Sequence, residues 1–180
     1  MSYPSFNSGD VLTATDMNAV GLWLVKSQAV GTGVSSVTVT GAFSADYDNY
    51  KILYTGGVGS TASTFALQLK TSGGSVSSTG YFYGTYGWTY GGAAANANGS
   101  NAASFAFGGA GDPSWVTMNV ELQSPFGSRY TVMSSQVAYA SYVVTSNCVH
   151  AVASSYADFT ITPSAGTLTG GTIRVYGYRN

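Results

Sequence analysis

The closest pair of carboxylates in the chain is Asp46 and Asp48, two residues apart in Ala45-Asp46-Tyr47-Asp48-Asn49-Tyr50. A retaining glycosidase needs two carboxyls about 5 Å apart and an inverting one needs a wider gap. Beside Asn49 and just ahead of a β-rich run, however, such aspartates more often close an Asx turn. Their oxygens are hard ligands suited to calcium, yet nothing around them resembles an EF-hand loop. Cys148 and His150 are a second pair at i and i+2. On one face of a strand they permit a thiol–imidazole dyad on paper. The ordinary reading is a small buried cysteine and a hydrogen-bonded strand histidine. Serines are abundant, but His150 is the one imidazole base. There is no Gly-x-Ser-x-Gly elbow and no phosphate loop ending in Gly-Lys-Ser/Thr. We therefore expect no catalytic residue, no metal site and no cofactor.

The residues best suited to binding are aromatic. Tyr81-Phe82-Tyr83-Gly84-Thr85-Tyr86-Gly87-Trp88-Thr89-Tyr90 sets six aromatics in ten residues. Exposed Tyr and Trp rings offer flat apolar faces with polar tips, suited to stacking on sugars or on partner surfaces. Alternation leaves two readings open: the rings face a core or a subunit contact, or they form a ligand surface. In the second case Tyr86, Trp88 and Tyr90 share it.

Those rings need strands to hold them, and period-2 alternation runs from Val34 to the end. Val37 and Val39 share a face. Tyr50–Tyr54 is a β-rich run, and Phe65, Leu67 and Leu69 alternate with small or polar residues. So do Phe105 and Phe107. Val116, Met118, Val120 and Leu122 are set against Thr117, Asn119, Glu121 and Gln123. Further runs lie at 130–139, 142–152, 159–161 and 172–176. Turn signals stand at Gly56-Gly57, Ser72-Gly73-Gly74, Asp112-Pro113, Ser124-Pro125-Phe126-Gly127 and Gly170-Gly171. Eight to ten short strands at this spacing predict an all-β sandwich or barrel, and a jelly-roll-like sandwich is the form we expect. The low-complexity stretch 91–101 predicts a surface loop.

The first thirty residues differ. Thr13-Ala14-Thr15-Asp16 resembles a capping box, and Met17, Val20 and Leu24 then fall on one helical face. This predicts a short α-helix over about 14–27, in spite of Gly21. Residues 1–30 would be an attachment or oligomerisation segment using Met17, Val20, Trp23 and Leu24. Residues 31–180 would be the β-sandwich domain.

Charge narrows the function. In 180 residues there are six Lys or Arg and seven Asp or Glu, 7% in all, against roughly 25% in ordinary soluble domains. A net charge of −1 with scattered cations leaves no basic stripe for nucleic acid. No apolar run is long enough for a transmembrane helix, so no membrane insertion is expected. A single cysteine forms no internal disulfide. The opening lacks a basic and an apolar region, so it does not read as a secretory signal. Uncharged outward strand positions suit contact with identical neighbours, because solitary sheets usually guard their faces and edges with charge. A homo-oligomer is expected.

Three segments carry a resemblance. Phe6-Asn7-Ser8-Gly9-Asp10-Val11-Leu12-Thr13-Ala14-Thr15-Asp16-Met17-Asn18 resembles the F-x-x-G-x-x-L-T-A-x-x-M-N opening of many tailed-bacteriophage minor structural and tail-fibre proteins. Phe43–Tyr50 is similar to an F-x-x-x-Y-x-N-Y segment of that group, and Ile173-Arg174-Val175-Tyr176-Gly177 to its closing I-x-x-Y-G strand. The resemblance covers about a fifth of the chain. It implies a non-enzymatic, β-rich virion structural protein, often trimeric, in a tail fibre or baseplate, with other virion proteins as partners and host-surface polysaccharide as a contact for host attachment. A head (capsid) decoration protein and a stand-alone carbohydrate-binding module are the alternatives. The chain would be assembled in the host cytoplasm and released in the virion.

Overall fold

A computed structural model describes residues 9, 11 and 21–178 of the chain. They form twelve β-strands, and no helix occurs among them. In chain order these are β1 (Leu22–Ala29), β2 (Val37–Val39), β3 (Asn49–Gly59), β4 (Ser63–Lys70), β5 (Tyr81–Thr89) and β6 (Ala97–Ala102). There follow β7 (Phe105–Asp112), β8 (Trp115–Gln123), β9 (Arg129–Ala138), β10 (Tyr142–Ser154), β11 (Asp158–Pro163) and β12 (Leu168–Tyr178). The all-β expectation therefore holds.

The corner of the architecture is β8. Met118 pairs with both Tyr54 of β3 and Gly109 of β7, while Val120 pairs with both Ile52 of β3 and Ser135 of β9. A residue has only two lateral neighbours in a sheet, so β7 and β9 leave β8 from the same edge. One layer runs β1-β12-β3-β8-β9-β10-β5-β6; the other runs β7-β4-β11-β2. Every pairing is antiparallel.

The two layers close on one apolar cluster. Ser63, Phe65, Leu67 and Leu69 point inward from β4, with the polar alternates facing out. Across the gap Tyr54 meets Phe65 at a ring-centroid distance of 6.1 Å, and Tyr81 meets Phe105 edge-on at 4.8 Å. Burying each such ring is worth roughly 1.5–3 kcal/mol. The phenol groups are satisfied: the Leu69 amide donates to Tyr81 Oη at 2.9 Å, and Tyr54 donates to the Gly170 carbonyl at 2.8 Å.

Three expectations change. The helix over 14–27 does not form in its second half, since Leu22–Ala29 is β1, paired with β12 from Tyr178 to Thr172. The rest of the expected helix, with Met17 and Val20, lies outside the described residues. The physical reason is local and tertiary at once. Gly21 takes φ +104°, which ends any helix there, and Leu-Trp-Leu-Val then alternates well against a waiting strand edge. Gly56-Gly57 and Gly170-Gly171 are not turns but face each other within the β3–β12 ladder, where Gly170 pairs with Gly57. A Cβ on Gly57 would collide with the Gly170 carbonyl oxygen and the Tyr54 hydroxyl. Last, the stretch 91–101 is only partly loop. A turn is closed by Gly92 N–H donating to the Thr89 carbonyl; Ala97–Ala102 then adds β6 to the outer edge of β5.

Three of the expected turns stand, and one of them, Ser124–Gly127, links β8 to β9, with the Arg129 amide donating to the Gly127 carbonyl at 2.8 Å. The Gly74 amide donates to the Thr71 carbonyl. Asp112 Oδ1 accepts from the amides of Ser114 and Trp115 at 2.7 and 3.2 Å, an Asx turn that makes β7 and β8 a hairpin.

Candidate functional site

Where β7 and β9 part from β8, the sheet forks, and the fork is pinned by three serine and backbone features. Phe107 sits at φ +55°, in the left-handed region that a bulky side chain avoids. The β4–β7 register slips between Phe65 and Leu67. The bulge turns two carbonyls toward the other layer: Ser135 Oγ donates to the Phe107 carbonyl at 2.6 Å and Ser146 Oγ to the Ala106 carbonyl at 3.0 Å. β7 is thereby held under β9 and β10.

Above the fork lies a cleft of about 570 Å³. Its wall on β5 is Tyr86 and Trp88, 64% and 48% exposed, with ring centroids 6.2 Å apart at 81°. Val143, opposite Trp88 in the ladder, adds an apolar step. The far side carries Thr117, Asn119, Gln136 and Thr145. Gly87, between the two rings, lets β5 and β10 close up: a Cβ there would meet the Val143 carbonyl oxygen. No charged residue lines this cleft.

The cleft does not end at Asn119. A hollow of about 260 Å³ continues it through Glu121, Ser134 and Ser135, and another of about 450 Å³ extends to Asn49 and Tyr178. At this end Lys51 forms an ion pair with Glu121, and Tyr178 donates its phenol proton to the other carboxylate oxygen. Tyr178 titrates high, pushed up to about 12, first by loss of hydration and then by its bond to Glu121 and that residue's charge.

The residues singled out from the sequence fall out differently. Tyr86 and Trp88 both line the cleft. Tyr90 lies beyond the end of β5, exposed, and its hydroxyl donates to the Tyr139 carbonyl at 3.1 Å, so it frames the turn and does not line the cleft. Leu24 faces outward from β1 and is 55% exposed. Trp23, on the opposite side of the same strand, is half-buried, and its indole N–H meets no acceptor among the described residues. The two-residue repeat of a strand thus puts these two expected contact residues on opposite faces.

In the two chemical pairs, the side-chain hydrogen bonds of Asp46, Cys148 and His150 run to other residues. Asp46 is exposed and accepts from its neighbour Ser44 Oγ at 3.0 Å. Cys148 lies inward against Ser146 Oγ at 3.2 Å, and burial raises its thiol pKa. His150 is buried among Tyr81, Phe105 and Tyr156, with Nε2 2.8 Å from Ser77 Oγ and 3.1 Å from the Thr79 carbonyl. Loss of hydration lowers its pKa. Each member of the supposed dyad has its own partners. No group of three metal-ligating side chains occurs among the described residues, and no helix among them is long and apolar enough to cross a membrane.

Reading the sequence missed Gln136, Thr145 and Val143 in the cleft, and Lys51 and Tyr178 at its far end. Asn119 and Glu121 were placed on an outward face by alternation, but nothing local says which strands flank them.

Comparison with known proteins adds little. No family model matches the chain, and no curated protein matches it. Among solved structures, a chain from the structure of infectious bursal disease virus, Gx strain, aligns with 86% of this chain at 12% identity and a TM-score of 0.18. This chain spans 41% of that one, and at so low a score the likeness carries no argument.

Proposed function

We propose that the chain is a non-enzymatic structural protein of a tailed-phage virion, part of a tail fibre, baseplate or other appendage. In this reading it is a jelly-roll-like sandwich that assembles as a homo-oligomer, a trimer by the resemblance of its opening segment. It touches host-surface polysaccharide through the cleft on its outer sheet. Other virion proteins are its remaining partners; nucleic acid and the bilayer interior are not.

The observation that carries this reading is the outward face of the larger layer. Across the outward positions of β5, β10, β8, β3 and β12, the charged side chains are Lys51, Glu121 and Arg174. On the same layer Leu22, Leu24, Phe82, Tyr86, Trp88, Val132 and Val143 are exposed. A sheet face this poor in charge and this rich in apolar surface is a contact surface. The edges agree: β6 carries no charge and β1 carries one, Lys26, whereas edges left open to solvent are ordinarily protected by charge.

Light scattering on the purified chain tests it. A stable multiple of the chain mass is expected. A clean monomer overturns the assembly and favours the second reading, a stand-alone carbohydrate-binding module, which the cleft's openness in the single chain supports. Decoration of the head in place of the tail is the same chemistry at another address, separable by labelling particles with an antibody to this chain.

A further inference from the structure

We infer that the occupant of this surface is an uncharged, linear polysaccharide lying across the strands in a continuous trough, in place of a single terminal sugar or an acidic glycan. The inference rests on the proposed contact with host polysaccharide and specifies its chemistry.

Continuity is the first argument. The three hollows share lining residues: Asn119, Gln136 and Thr145 join the first to the second, and Glu121 and Ser134 join the second to the third. The trough runs from β5 over β10, β9, β8 and β3 to β12. That is five strand spacings, about 24 Å at roughly 4.8 Å each, far more than one sugar ring occupies.

The distribution of groups is the second. One end has a pair of rings set at a right angle, able to stack on the apolar face of a pyranose. The middle has side-chain amides and a hydroxyl, Asn119, Gln136 and Thr145, none of which hydrogen-bonds within the described residues. Sugars present hydroxyls at regular intervals, and free donors and acceptors along a trough match that spacing. A protein partner with a large apolar surface would leave these groups unpaired, which buried polar groups seldom tolerate.

Charge is the third. The aromatic end has no ionised group, and at the far end Lys51 and Glu121 neutralise each other while Tyr178 takes the second carboxylate oxygen. Among the described residues, no cation is left unpaired in the trough to meet a uronate or a sialate.

The test is calorimetric titration of the full chain with neutral hexasaccharides (cello-, malto- and chito-series), the matching disaccharides, and anionic hyaluronan and oligosialic acid of similar length. The expected result is binding of at least one neutral series, tighter for the hexamer than the dimer, and unchanged between about 0.05 and about 0.5 M salt. Trp88→Ala and Tyr86→Ala should each weaken it about tenfold, and Gln136→Ala several-fold. Tyr130→Ala, an exposed ring outside the trough, should leave it unchanged. Equal affinity for dimer and hexamer, preference for the anionic probes, indifference to Trp88→Ala, or no binding by any probe each overturns the inference. If Trp88 fluorescence is shielded from acrylamide in the assembled protein and no hexamer binds, a second copy fills the trough, and the inference again fails. The oligomer mass is read separately, so an assembled chain that ignores all sugars sinks this inference while leaving the appendage reading standing.

Discussion

On the inward side of β5 and β10, Tyr81 packs against His150 with ring centroids 4.3 Å apart and rings tilted by 46°, and both are bonded to the backbone or to Ser77. On the outward side of the same two strands, Tyr86 and Trp88 stand beside Val143 and Thr145, 64% and 48% exposed. The backbone is shared, and one residue of offset separates a packed environment from an open one. Inside, the aromatic rings pack on one another, and the unpartnered polar atoms include His150 Nδ1. Outside, Tyr86 and Trp88 touch each other but stand largely in solvent, beside amides and hydroxyls that make no side-chain hydrogen bond among the described residues. Stability belongs to the first set and the proposed recognition to the second, so substitutions should divide cleanly between them.

The sharpest break should come from Tyr81→Ala. Removing a fully buried ring that contacts Phe105 and His150 should cost about 3–5 kcal/mol in denaturant unfolding, with the outer rings untouched. A loss below about 1 kcal/mol would mean that the inner face is not the cohesive one. Next comes Gly87→Val, which sets a branched side chain against the Val143 carbonyl and Val144. It should destabilise by roughly 1–3 kcal/mol and spoil the cleft as well, because this residue keeps the two strands in register.

A pH series tests the inner face without mutation. Burial lowers the pKa of His150, so the unfolded chain takes up its proton first as pH falls. The stability that neutral His150 contributes is present above its unfolded pKa, about 6.5. It is lost as pH drops from there through the lower folded value. The denaturation midpoint should therefore fall between about pH 7.5 and 5.5, and His150→Phe should flatten that slope. A wild-type midpoint independent of pH across this range would show that His150 is hydrated.

Smaller effects are expected outside. Lys51→Met breaks a partly exposed ion pair and should cost no more than about 1 kcal/mol, with less still at high salt. Trp88→Ala should leave the unfolding midpoint within about 0.5 kcal/mol of wild type, whatever it does to sugar binding. A large loss there would erase the distinction between the two faces.

Much of the β-domain was legible because alternation is a local signal. Phe65, Leu67 and Leu69, or Val116 to Leu122, sort themselves into faces with no knowledge of their neighbours. The double-glycine positions misled for a physical reason: glycine marks close backbone approach as readily as it marks a turn, and only the pairing of Gly57 with Gly170 tells which. Leu22–Ala29 misled because a three-four spacing of apolar residues is weak when the free edge of β12 offers seven residues of ladder. Of the proposed binding surface, Tyr86 and Trp88 were legible by parity, and Tyr90 followed them only until the strand ended. Gln136 and Asn119 gave no such signal, since polar outward residues abound in this chain.

Composition and periodicity, then, already determined an all-β chain with little charge and an aromatic strand, because burial and side-chain alternation are properties of neighbours in sequence. Which faces adjoin, and that β8 would fork to open a trough among β5, β10, β9 and β3, was decided by register between strands far apart in the chain. That choice belongs to the packed whole. A ladder pairing is stabilised jointly by the backbone bonds of both strands and by the core beneath them, and neither is present in any single segment.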